Sequence, residues 1–175
     1  MVCEPVERAN SNHLFTAGLA DSMGVRKKPM RVYSVVKYAA IACGDAEVFM
    51  KFAQSRYKEK IWAHAAGVVI VEEAGGVVTD AGGRNLDFSK GVYLEGLDRG
   101  IIACSGQVLH DKFIGAVNCM FATMHHMYVC YNASREEESK VCLLQCITCT
   151  FATIHCSYAT GWGFSSLFRD WFSPS

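Results

Sequence analysis

The chain is 175 residues long, 51% apolar, with 17 basic and 17 acidic residues and no net charge. This suits one domain with a sizeable core, and the balanced charge leaves no electrostatic footprint for nucleic acid or a membrane surface. The opening run MVCEPVERAN carries acids and lacks an apolar stretch, so it reads as neither a secretory nor a transit signal. The nine cysteines are then expected to be reduced thiols in a soluble intracellular protein.

Taken in chain order, the pattern predicts a helix over His13–Met23, a strand at Met30–Tyr33 and a helix over Ser34–Cys43. A strand at Glu47–Phe52, a helix over Ile61–Ala74 and a strand at Val77–Asp80 follow, then a strand at Ile101–Cys104 and a last helix over Val108–Val117. The helices rest on apolar spacings such as Val36, Ala39, Ala40, Cys43 and Ile61, Ala65, Val68, Val69. The strands rest on short β-rich runs punctuated by Gly or Pro. Alternation of the two predicts a layered α/β lobe over residues 1–117.

Residues 118–175 break that pattern and read as an appended, poorly structured, Cys-rich tail. Val141–Phe168 has no charged residue and is long enough to span a bilayer, but Gln145, four threonines, His155 and several serines suit lipid poorly. A tail-anchored protein is therefore a minor alternative. Cys146-x-x-Cys149, with Cys142 and Cys156, could ligate Zn but lacks a second well-spaced Cys/His pair. Asn132-Ala133-Ser134 is a glycosylation sequon in form only, because no export signal accompanies it.

The most informative segment is Lys58–Gly83, KEKIWAHAAGVVIVEEAGGVVTDAGG. Basic residues and Trp62 lead through Ala65-Ala66-Gly67 into an apolar helix. Gly75-Gly76 stop that helix, and a short strand runs to Gly82-Gly83. The segment resembles the C-terminal signature of the inositol monophosphatase superfamily, Mg²⁺-dependent phosphomonoesterases that read Trp-Asp-x-Ala-Ala-Gly. The family's Asp holds a catalytic metal; here that position is Ala63. A methyl group offers Mg²⁺ no oxygen, and imidazole at His64 is a poor replacement.

The runs PVERANSNH, RVYSVVKYAAIACGDAEVFMKF and LDFSKGVYLEGLDRGIIACSGQVLHDK extend the likeness to the plant 3′(2′),5′-bisphosphate nucleotidase family over about residues 3–117. The resemblance implies the C-terminal lobe of the layered inositol-monophosphatase-like sugar phosphatase fold. It implies Mg²⁺ as cofactor and a small-molecule nucleotide substrate, 3′-phosphoadenosine 5′-phosphate (PAP), hydrolysed to AMP and phosphate. Inositol polyphosphates are a further substrate class in some members. By resemblance Ser34 and Lys37 contact the nucleotide, and their i, i+3 spacing puts both on one face of a helix start, a sensible phosphate cradle. The alternative is an N-cap serine and a solvated lysine. Lys51 stands where the family has a basic residue, often Arg, near substrate; otherwise it is an edge lysine. Asn10 stands where some relatives have His, and His13 could replace it at short range.

The family's other metal ligands, a Glu-Glu pair and an Asp-Pro-x-Asp-Gly-Thr motif, occur nowhere in this sequence. No metal site is therefore expected to be intact, and the reading is a shortened, catalytically impaired member. The alternative from another class is a non-catalytic module that binds an adenosine phosphate or pairs with a full-length homologue.

Overall fold

Five short strands and four helices alternate along the computed structural model, which describes residues 1–7, 11–33, 35–53 and 57–135. They are β1 (Val2–Pro5), α1 (His13–Ser22), β2 (Met30–Val32), α2 (Val36–Ala42) and β3 (Val48–Lys51), then α3 (Ala65–Glu73), β4 (Val77–Asp80), β5 (Ile101–Cys104) and α4 (Gln107–Arg135). The strands form one sheet in the order β2-β1-β3-β5-β4. β1 is parallel to both of its neighbours, whereas β5 runs antiparallel to β3 and β4. The chain divides into two compact units, Met1–Asn118 and Cys119–Ser175.

The inner strands β1, β3 and β5 are buried on both faces. On one face, Cys3, Phe49, Val78, Ile101 and Ala103 meet Tyr38 and Ile41 of α2 and Val68 and Val71 of α3. The other face meets α1 and the N-terminal part of α4. Thr16 of α1 donates to Glu4 of β1 at 2.6 Å, and Thr79 of β4 bonds His110 of α4 at 2.8 Å. His110, Phe113 and Val117 are buried at helical spacing on that side of α4.

The predicted strands at Val77–Asp80 and Ile101–Cys104 are found with those bounds, and the other predicted elements recur with shifted ends. Three differences have physical causes. β1 was not expected, because a four-residue run ending in Glu-Pro looks polar; its Glu4 is buried by pairing with Thr16 and with Arg31 at 2.8 Å. The predicted helix over Ile61–Ala74 breaks into a 3₁₀ turn, Ile61–Ala63, and α3. His64 lies between them at φ −129° because its ring turns into the core. Finally, α4 runs on to Arg135 instead of ending at Val117. The stretch from Asn118 to Arg135 holds no Gly or Pro to stop a helix.

Among the described residues, no helix is long and apolar enough to cross a membrane. The uncharged stretch Val141–Phe168 and the Cys146-x-x-Cys149 pair lie outside them.

Helices α2 and α3 approach closely because position 67 has no side chain. A Cβ built there would stand 2.2 Å from Cδ2 of Tyr38, well inside contact distance. Gly67→Ala is therefore expected to force the helices apart and to lower stability by about 1–3 kcal/mol, read as a reduced urea midpoint.

Candidate functional site

The carboxyl ends of β1, β2 and β3 lie at one edge of the sheet, the place where open α/β sheets hold their ligands. Lys51 is the last residue of β3, and Lys37 lies in the first turn of α2, just beyond β2. Both are buried, at 5% exposure each. Neither is the solvated surface charge or edge lysine that spacing alone would suggest. Helix α2 begins at Val36, with Val35 as its N-cap and no side-chain cap bond. Ser34 and Asn10 lie outside the described residues.

A chain of buried polar groups connects this edge to the core. Lys51 Nζ donates to Glu59 Oε2 at 2.7 Å, and His64 Nε2 meets the same oxygen at 2.9 Å. His64 Nδ1 meets the Tyr38 hydroxyl at 2.6 Å. Glu59 is 3% exposed, and Tyr38 and His64 are fully buried. Burial alone would raise the Glu59 carboxyl, but the bonds from His64 and Lys51 outweigh it and hold the group below its ordinary value. Burial lowers His64 in spite of Glu59, so its ring is neutral at neutral pH. A carboxylate only accepts, so Nε2–H donates to Glu59 and Nδ1 accepts from Tyr38 O–H. One proton arrangement satisfies the whole chain. Burial, with the Glu59 charge adding to it, raises Tyr38 and keeps its phenol a donor.

The Lys37 ammonium stands beside this chain, 5.3 Å from the Phe49 ring centroid and 5.7 Å from that of Tyr38. Burial first, and then the Lys51 charge, push Lys37 down to about 8; Glu59, Cys3 and Glu7 oppose the drop. Lys51 also faces an aromatic ring, Tyr57, at 4.9 Å. The edge thus gathers two ammoniums around one firmly held carboxylate, in surroundings where charge is weakly screened.

Position 63 is half-buried in the 3₁₀ turn beside the exposed Trp62. Its methyl offers no ligand, and both ring nitrogens of the neighbouring His64 are already engaged. Asp80 is occupied as well. Its Oδ1 accepts from the Gly82 and Arg84 amides at 2.9 Å each, and its Oδ2 from Arg84 Nε at 3.0 Å and the Asp98 amide at 3.2 Å. Asp80 therefore clamps the loop after β4. Among the described residues, no group of three His, Cys, Asp or Glu side chains could hold a metal ion. The donors present do not fit Mg²⁺, which needs several oxygen ligands in near-octahedral array.

Sequence reasoning missed Glu59, His64 and Tyr38 as members of the site. Glu59 hides inside Lys-Glu-Lys, which looks like a solvated charge run; only its tertiary partners, the buried Lys51 and His64, give it away. A cavity of about 260 Å³, lined in part by Ile41, Cys43, Val71 and Ser105, opens at the opposite end of the sheet and shares none of these groups.

Residues 2–120 match the model of the inositol monophosphatase family. The chain belongs to that family. It is 93% identical over 116 residues to the 3′,5′-bisphosphate nucleotidase AHL of Arabidopsis thaliana, a match covering 66% of this chain and 31% of that protein. A 3′(2′),5′-bisphosphate nucleotidase of Oryza sativa is 48% identical over 106 residues, 61% of this chain and 29% of its own length. The chain thus spans about a third of the curated relatives it matches. An inositol monophosphatase from Zymomonas mobilis superposes with a TM-score of 0.50 at 16% identity, over 67% of this chain and 42% of that one; this likeness concerns the fold. The α/β lobe is therefore part of the inositol monophosphatase fold.

The burial of Lys37 in this family member has a pH signature. Folded Lys37 titrates near 8 and the unfolded lysine at 10.5, so between these values the unfolded chain binds more protons and stability attributable to Lys37 rises with pH. Below about 8, the folded state carries a poorly solvated charge at a cost. Lys37→Met is expected to be more stable than the parent at pH 7 by about 1–3 kcal/mol. That advantage should shrink as the pH rises from about 8 and vanish above about 10.5, as read by urea unfolding across the range.

Proposed function

We propose that this lobe binds a bisphosphorylated adenosine, with PAP as its reference ligand, through the charge of Lys37 backed by Lys51, and that it does not turn the ligand over. The observation that carries this reading is the convergence of two buried ammoniums at the carboxyl edge of β1–β3. Proteins do not desolvate two like charges side by side without a compensating partner. Glu59 compensates one of them; an incoming phosphate would compensate the other. The names of the relatives, bisphosphate nucleotidases, supply the substrate class.

In the family's reaction a phosphomonoester is hydrolysed with Mg²⁺. Position 63 and the neighbouring side chains of this chain do not provide for that ion, so no hydrolytic step is assigned to it. The activity belongs to proteins about twice as long, of which this chain matches about a third. A non-catalytic role, holding the nucleotide or pairing with a longer homologue, follows from the same geometry.

Calorimetric titration with PAP tests the reading. The chain should bind PAP with an affinity that falls as salt rises, because a Lys–phosphate contact is partly electrostatic. Lys37→Ala should weaken binding by about tenfold to a hundredfold, and Lys51→Ala by less, since Lys51 is already committed to Glu59. Phosphate release from PAP in Mg²⁺ should stay at the no-protein level, and Ala63→Asp alone should not restore it. A folded Lys37→Ala chain that binds PAP as tightly as the parent would falsify the assignment.

A further inference from the structure

We propose that Glu59 is a positioning residue that sets how much positive charge this edge of the sheet presents: it holds the Lys51 ammonium to itself and keeps Lys37 charged for a phosphate. The part concerning phosphate rests on the binding function proposed above; the part concerning Lys37 does not.

The geometry carries the inference. Two donors, Lys51 Nζ at 2.7 Å and His64 Nε2 at 2.9 Å, meet on one oxygen of Glu59. Because Tyr38 holds His64 from behind at 2.6 Å, the carboxylate cannot swing toward solvent without breaking a buried chain of bonds. Its other oxygen, Oε1, is buried and makes no hydrogen bond. The negative charge is therefore pinned in place.

Charged or titratable groups act on Lys37 from several segments. Cys3 comes from β1, Glu7 from the segment after it, Lys51 from β3, Glu59 and His64 from the segment leading into α3, and Tyr38 from its own helix. Of the groups that favour the charged amine, Glu59 acts most strongly, and Lys51 acts most strongly among those charges that oppose it. Removing the Glu59 charge would leave two ammoniums facing one another with Glu7 as the remaining carboxylate. A buried lysine next to a like charge sheds its proton more readily.

The test uses the 175-residue chain with ¹³C-labelled lysine side chains, observed by NMR from pH 6 to 10.5, and PAP titrations over the same range. In the parent, the Lys37 Cε resonance should titrate near pH 8 and PAP affinity should fall through the same pH. In Glu59→Gln, both midpoints should drop to about pH 7, with PAP bound more tightly than the parent at pH 6 and more weakly at pH 8.5. A merely structural loss would instead weaken binding at every pH. Glu59→Asp, which withdraws the carboxylate by one methylene, should lie between the two, and it carries the test alone if circular dichroism finds Glu59→Gln unfolded. Should the parent fail to bind PAP at all, the phosphate reading falls, and the lysine resonance still decides the role of Glu59. A Lys37 midpoint unchanged by either variant overturns the proposal.

Discussion

The phenol of Tyr38 is the point on which packing and polarity in this lobe both depend. Its ring lies edge-on to Phe49 at 5.2 Å and fills the space that Gly67 leaves open. Its hydroxyl donates to His64, and through that ring the orientation of Glu59 and Lys51 follows. A side chain at position 67 would displace the ring and, with it, the hydrogen bond that orients His64. The tight crossing of α2 and α3 and the order of the polar chain are thus one constraint seen from two sides.

The same arrangement explains how two buried cationic side chains can be held in place where the donor set among the described residues does not suit a divalent ion. The lysines are oriented by strand β3, helix α2 and the Glu59–His64–Tyr38 chain, all within the described lobe. Metal coordination asks for several oxygens converging from different segments, and here Asp80 is saturated by backbone amides and Arg84 while position 63 is a methyl. Cation placement is a local property of this fold; metal placement is a collective one.

Much of the architecture could be read from the residues. Strands β4 and β5 are marked by apolar runs between glycines, and Ala65-Ala66-Gly67 announces a close helix crossing that Tyr38 then explains. What escaped reading was decided by tertiary partners. Glu4 hides β1 because an acid in a strand looks exposed until Thr16 and Arg31 are brought beside it. Glu59 sits between two lysines in sequence, but its partners are residues 51 and 64. His64 looks helical from its neighbours and breaks the helix because its ring is needed inside. Lys37 and Lys51 could be marked as candidates by resemblance, whereas their burial could not. The length of α4 was obscured by reading composition where the absence of helix breakers mattered more.

The position of β1 in the sheet has a consequence for assembly. It is an inner strand, with β2 on one side and β3 on the other: Cys3 is in register with Met30 and with Phe49. Both pairings are parallel and span long stretches of chain, so loop-closure entropy must be overcome before either ladder forms. Until β2 and β3 are both in place, Val2 and Cys3 lack a neighbour, and an unpaired strand is open to wrong partners. Clipping those few residues would not trim an edge: it would separate β2 from the other strands.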